Sequence, residues 1–426
     1  MIEMKESVFD WIDRHEKKMV SFLQKVVQEK SVFQKEASAQ AVVLEKCREL
    51  GLTIDLWEPE LSALTSHPEF VSTRNDFKGS PNLVATLKGT GGGKSIILNG
   101  HIDVVPEGER NQWEDDPYLG IIKDGKLFGR GATDMKGGNV ALLFAMEAIK
   151  RSGLKLKGDV IFQSVVDEEC GGAGTLAAIM RGYKADAAII PEPTNMKIFL
   201  KQQGSMWFRI KVKGRSAHGG TRYEGVSAID KAVKVIEQIH KLEEKRNARI
   251  TDPLYERIPI PVPINIGKME GGNWPSSVPD SVILEGRCGI APNERKEDVQ
   301  AEFITFIKEL EQEDSWFEDH PLQIEWFGAR WLPNEMDQDH PFLQQLINSF
   351  KEVIGKEPTI EASPWGTDGG LLSHAGGIPT IVFGPGQTEM AHFPNEYIDL
   401  RKMIETSKVI ASLLIDWCEM STEGGE

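Results

Sequence analysis

The residues best equipped for chemistry in this chain are two histidines and a set of acids that each follow an apolar run. His101 and Asp103 end the stretch Ser95-Ile-Ile-Leu-Asn-Gly-His-Ile-Asp-Val-Val-Pro106. Its apolar run reads as a buried strand, and Pro106 stops it. Residues i and i+2 of an extended chain point to one face, so His101 and Asp103 leave the strand side by side. A metal-binding histidine usually donates its second ring N–H to a carboxylate, which fixes its tautomer, and an H-x-D at a strand end fits that need. Asp134 lies in Gly129-Arg-Gly-Ala-Thr-Asp-Met-Lys-Gly-Gly138, just ahead of a helix expected over 138–151. The run that opens at Asp159 leads straight into Glu168 and Glu169, then into Gly171-Gly-Ala-Gly174. Glu192 is held between Pro191 and Pro193, and His392 stands in Ala391-His-Phe-Pro-Asn-Glu396. Taken singly, each has an ordinary explanation as a strand end, a helix cap or a solvated loop acid. Adjacent acids directly after a buried strand repel each other and gain nothing structural, so their joint placing points to a site.

Two histidines and three carboxylates, His101, Asp134, Glu169, Glu192 and His392, form a hard nitrogen and oxygen donor set. Such a set suits Zn²⁺, Co²⁺ or Mn²⁺. Five donors are too many for one open tetrahedral site. They suit two ions about 3.5–4 Å apart that share one carboxylate. Glu168 is left over beside Glu169, where a hydrolase needs its general base.

Three apolar strands thus end in His/Asp, Glu/Glu and Glu, with a helix between two of them. This alternation implies an α/β layered sheet, with its site beyond the carboxyl ends of the strands. Ahead of it, one amphipathic helix is expected over 7–29, a second over 37–50, and strands over 53–57 and 82–87. From about 203 the pattern becomes β-α-β-β-α-β and closes with a strand over 323–327, an inserted α+β domain. The expected division is 1–202 and 329–426 for the catalytic domain and 203–328 for the insert. The tail after Met420 is expected to fray.

Across these motifs the chain resembles the metallopeptidase and deacylase family of acetylornithine deacetylase, succinyl-diaminopimelate desuccinylase, aminoacylase and glutamate carboxypeptidase. The matching stretches are Gly100-His-Ile-Asp-Val-Val-Pro106, the Gly129–Gly138 run, Asp167-Glu-Glu-Cys-Gly-Gly172, Glu192-Pro-Thr194 and Ala391-His392. The resemblance covers nearly the whole chain in order. It implies a zinc-peptidase-like catalytic domain, a mixed sheet between helices, with the insert as a lid and dimerisation domain. One zinc would be held by His101, Asp134 and Glu192, and a second by Asp134, Glu169 and His392. Asp103 would orient His101, Glu168 would act as base, and the Asp134–Met135 peptide would be cis. His218 in Ser216-Ala-His-Gly219 would stabilise an oxyanion in the neighbouring subunit of a homodimer. Asn273, Arg287 and the loop beginning Gly366-Thr367 would hold substrate.

The implied reaction is hydrolysis of a small N-acyl amide, of the acetylornithine deacetylase or succinyl-diaminopimelate desuccinylase kind. Cys170 and the run Gly219-Gly-Thr-Arg-Tyr-Glu-Gly225 depart from the better-known members. Trp274 and Trp365 sit in loops expected to face substrate. These features keep an N-formyl aminopyrimidine deformylase as an alternative. A di- or tripeptidase or a carboxypeptidase is a further one, although no site for a free α-amine is evident. A non-catalytic binding protein on the same fold would have lost Glu168 or a ligand, and none is lost.

The 426 residues carry a formal charge of −16. That balance argues against nucleic acid or an anionic membrane as partner. No signal-peptide-like segment and no run of 18 apolar residues is present, so a cytoplasmic location is expected. Cys47, Cys170, Cys288 and Cys418 are widely spaced and read as free thiols.

Overall fold

Each apolar run that leads to a candidate residue becomes a strand of one sheet. The computed structural model describes residues 2–421, so nearly all of the tail expected to fray lies outside it. Six strands matter here: β1 (Thr53–Trp57), β2 (Asn82–Leu87), β3 (Ile96–His101), β4 (Val160–Val165), β5 (Ala187–Ile190) and β6 (Thr380–Val382). They lie in the order β1-β2-β4-β3-β5-β6, and the sheet continues through Ile198–Gln202 and Asn334–Glu335. β3 is parallel to β4 and β5, and β5 is parallel to β6. β2 is antiparallel to both β1 and β4, so the sheet is mixed.

β3 and β4 are buried at every position, as strands covered on both faces are. The register sets His101 beside Val165. The chain therefore leaves β3 toward Asp103 and leaves β4 toward Glu168 at neighbouring points. β5 ends at Ile190, two residues before Glu192. These are the carboxyl ends of parallel strands, where open α/β sheets place their ligands. Helix Gly137–Arg151 is buried from Gly137 to Ile149 and lies against β3 and β4. Leu400–Trp417 packs on that helix, and Pro341–Ile354 packs on Leu400–Trp417.

The helix expected over 7–29 is two helices, Ile2–Arg14 and Glu16–Gln28. His15 breaks it. Its ring stacks on Trp11 at 4.0 Å, and its Nδ1 donates to the Trp11 carbonyl at 2.7 Å. That carbonyl is the one a continuing helix would have offered to the His15 main-chain N–H.

Packing divides the chain into two units. The first holds the chain up to Leu200, Asn334–Glu361 and everything from Thr367 on; the second is Lys201–Pro333 with Ala362–Gly366. The second unit is a four-stranded antiparallel sheet in the order Ile264–Gly271, Ser281–Ile290, Gly204–Lys213, Gln323–Trp331. Helices Ala228–Asn247 and Lys296–Lys308 pack on it through Ala232, Val235, Ile239, Phe303 and Ile307, against Phe208, Ile210 and Leu284. Its last strand does not stop at 327. Gly328 takes φ +61°, the register slips after Phe327, and pairing resumes with Arg330 opposite Met206. A glycine that reads as a strand end is here a bulge.

Candidate metal centre

His101, at the end of β3, is 1 % exposed. Its Nδ1 donates to the main-chain carbonyl of Asp103 at 2.8 Å, which turns Nε2 toward the acids. That Nε2 lies 3.1 Å from Asp134 Oδ1 and 3.7 Å from Glu192 Oε1. His392 Nε2 lies 3.2 Å from Asp134 Oδ2 and 3.2 Å from Glu169 Oε2. Asp134 therefore turns one oxygen to each histidine. The peptide between Asp134 and Met135 is cis. Two overlapping groups have donor atoms within 4.8 Å of one another: His101, Asp134 and Glu169, and His101, Glu168 and Glu192.

Asp103 works differently from the expectation. Its carboxylate lies 3.8 Å from the His101 ring, beyond a hydrogen bond. The chain turns so that the carbonyl of Asp103 reaches the ring instead. The carboxylate accepts the main-chain N–H groups of Glu168 at 3.3 Å and Glu169 at 3.1 Å. One residue thus orients the histidine and holds the acidic turn that follows β4.

The electrostatics of the cluster are those of acids crowded in a buried site. Burial pushes the Glu168 and Glu192 carboxyls well above the usual range. Burial would lower His101, but its bond to Asp134 and the charges of Glu192, Asp103 and Glu168 raise it well above normal. The charge of Glu169 lifts His392 to about 11. Burial opposes ionisation of Asp134, yet bonds from His101 and His392 hold it below the ordinary carboxylate value. Shifts of this pattern mark excess negative charge in a low-dielectric site, where a bound dication would replace the histidine protons as counter-charge. The donor set fits divalent metal.

Comparisons with known proteins agree. Residues 97–416 match Peptidase family M20/M25/M40. The chain belongs to this family. It is 34 % identical over 397 residues to N-formyl-4-amino-5-aminomethyl-2-methylpyrimidine deformylase of Bacillus subtilis, covering 88 % of each chain. It is 28 % identical over 351 residues to acetylornithine deacetylase of Proteus mirabilis, covering 80 % of this chain and 84 % of the relative. The fold is shared with the di-peptidase Dug1p of Saccharomyces cerevisiae, at a TM-score of 0.78 and 16 % identity over 98 % of this chain and 99 % of that one. This M20-family chain is a metallohydrolase of amide bonds. Among the described residues no helix is long and apolar enough to cross a membrane.

Around the M20 site lie residues that the sequence reading did not assign. Asn139 holds the His101 carbonyl from below, Nδ2 to O at 2.7 Å. Arg130 and Glu396 form a buried pair beside the Asp134 turn. Arg74 forms buried pairs with Glu36 and with Asp167, the residue before Glu168. Arg130 and Glu396 stand inside the quoted motifs, so their proximity to ligands in sequence was the available signal. Arg74 and Glu36 offered none.

The remaining expected residues divide between the units. Thr367 is buried, and its hydroxyl accepts the Gly369 N–H at 3.0 Å. Next to it, Asp368 accepts the Thr175 hydroxyl at 2.6 Å. Gly366 belongs to the second unit, where a Cβ would come within 2.6 Å of Trp331 Cβ. His218 is exposed in that unit, and its Nδ1 accepts the Gly220 N–H at 3.1 Å. In the neutral ring this leaves the proton on Nε2. Asn273 is exposed, and Arg287 is half-buried on Ser281–Ile290 with no acidic partner among the described residues.

Proposed function

We propose that this chain is a two-metal amidohydrolase that removes a formyl group from an N-formyl aminopyrimidine, as the Bacillus subtilis relative is named for doing. The observation that carries the two-metal part is Asp134, one oxygen toward each histidine. Zn²⁺, Co²⁺ or Mn²⁺ would be held by His101, Asp134 and Glu192 at one position and by Asp134, Glu169 and His392 at the other. Such ions polarise the amide carbonyl and acidify water.

The chain's own residues supply the rest. Glu168, its main chain held by Asp103, takes a proton from the attacking water and returns it to the leaving amine. His218, with its proton on Nε2, donates to the tetrahedral oxyanion. The second unit serves as lid and homodimer contact, and the protein works in the cytoplasm on a small molecule.

A second reading rests on Arg287. A half-buried guanidinium without an acid beside it suits a carboxylate, which an N-acyl amino acid carries and an N-formyl aminopyrimidine does not. One screen separates the two. Zinc-loaded protein is given the N-formyl aminopyrimidine, N-acetylornithine, N-succinyl-diaminopimelate and a dipeptide, and kcat/KM is compared. The deformylase reading expects the formyl substrate to lead by about 10⁴-fold or more, the discrimination a site that hydrogen-bonds a polar group achieves over a molecule lacking it. A lead by either amino-acid substrate overturns it.

A further inference from the structure

The turns that carry Asp134 and His392 are joined by one buried ion pair that the proposed reaction does not use. Glu396 is fully buried. Its Oε1 accepts the main-chain N–H groups of Thr133 at 2.9 Å and Asp134 at 3.1 Å. Its Oε2 accepts Gly131 N–H at 3.0 Å and Arg130 Nη1 at 2.6 Å. Arg130, 2 % exposed, sends Nη2 to the carbonyls of Pro106 and His392, both at 3.3 Å, and Nη1 to that of Phe393 at 3.4 Å. One carboxylate thus fixes the backbone that presents Asp134, and one guanidinium fixes the backbone that presents His392.

The other ligands are held by other means. His101 belongs to β3 and is pinned by Asn139 and the Asp103 carbonyl. Glu192 follows β5 and is flanked by two prolines. His392 has no such frame. Its φ is +64°, its side chain is 53 % exposed, and a second left-handed residue, Asn395, follows it.

We propose that Arg130 and Glu396 are positioning residues that set the affinity of the second divalent ion, the one taken by Asp134, Glu169 and His392. This rests on the two-ion reading above. Two of the three donors at that position are anchored by the pair, against one of three at the other. Loosening the pair therefore weakens the second ion more than the first, and the ratio of the two dissociation constants is the diagnostic quantity. A pair that only stabilises the fold would leave that ratio alone.

The test titrates metal-free protein with Zn²⁺ against a chromophoric chelator, with no substrate present. Glu396→Gln is close to isosteric but aims an N–H at groups that are themselves donors. Its second dissociation constant is expected to rise about 10–100-fold, the usual effect of removing a group that orients a ligand, and its first by a smaller factor. Arg130→Lys keeps the charge but loses the fork that reaches Glu396 and the three carbonyls together, so it shifts the ratio in the same direction. Thermal melting of the metal-free variants records the packing loss separately. An unchanged ratio in both variants, with or without a lower melting point, overturns the proposal. A wild-type protein that takes a single ion overturns the two-ion reading itself, and is seen before any variant is compared.

Discussion

Replacing Arg74 by alanine is the sharpest probe of what holds the acidic turn in place. Arg74 is 5 % exposed, while Glu36 and Asp167 are fully buried. Its Nε donates to Asp167 Oδ1 at 2.6 Å, its Nη1 to Ser80 at 2.8 Å, and its Nη2 to Glu36. The guanidinium lies over the rings of Phe33 and Phe77, at 4.6 and 5.2 Å. Arg74→Ala leaves two buried acids without their cation. Removing one partner of a buried pair costs about 3–5 kcal/mol, and the ring contacts add about 0.5–1 kcal/mol. Against a total of about 5–15 kcal/mol, this is a large fraction. Urea unfolding of the metal-free protein at pH 7 should show it as a lower midpoint with an unchanged slope. The pH dependence gives a second check. Burial raises Asp167 to about 6, with Arg74 pulling the other way. A carboxyl raised in the fold costs stability as pH climbs from its unfolded value to its folded one, and the cost is complete above that. Losing Arg74 raises Asp167 further, so the deficit should be largest above pH 6 and shrink toward pH 4. A variant within about 1 kcal/mol of wild type at pH 7, or a deficit that grows on acidification, refutes the reasoning.

Three further outcomes are expected. Glu168→Gln should keep its divalent ions, measured by elemental analysis, while turnover falls about 10²-fold or more; near-normal turnover would place the base elsewhere. Prolonged dialysis against a chelator should abolish activity, and Zn²⁺, Co²⁺ or Mn²⁺ should restore it, with a fully active metal-free protein as the contrary result. Gly100→Ala would put a Cβ 1.8 Å from Asn139 Oδ1, under the residue that holds His101. Overpacking of this kind costs about 1–3 kcal/mol in urea unfolding, and metal should be held less tightly; an unaffected variant would mean Asn139 moves freely.

What the sequence made readable was whatever lay within a few residues of an apolar run. His101, Glu168, Glu169 and Glu192 stood out together, because a histidine or acid after each of several buried strands is more than ordinary strand ends and loop acids explain. The strand and helix order of the second unit was readable for the same cause, since period 2 and period 3.6 are local signals. What escaped depended on partners far away. The Asp103 carboxylate reaches Glu168 and Glu169 only because β3 and β4 lie side by side. Arg74 meets Asp167 across 93 positions and Arg130 meets Glu396 across 266, and nothing local in the sequence says that either pair forms. Two local misreadings had local causes. At His15 a side chain took the place of a main-chain donor, and at Gly328 a left-handed glycine bent a strand without ending it.

The interrupted order of the first unit has a consequence for how this protein is made. Its sheet reaches β5 by residue 190, but the neighbour on the far side of β5, β6, does not exist until residue 382. At about 5–20 residues per second on the ribosome, that strand follows after some ten to forty seconds. During this interval the edge of β5 has unmade main-chain bonds and apolar neighbours, the condition in which nascent sheets pair with the wrong partner. The second unit has no such wait, because nearly all of it is the unbroken segment Lys201–Pro333. Stalled nascent chains ending near residue 370 should therefore resist brief proteolysis within that segment and be cut on either side of it. Equal sensitivity throughout would mean that the insert, too, waits for the finished chain.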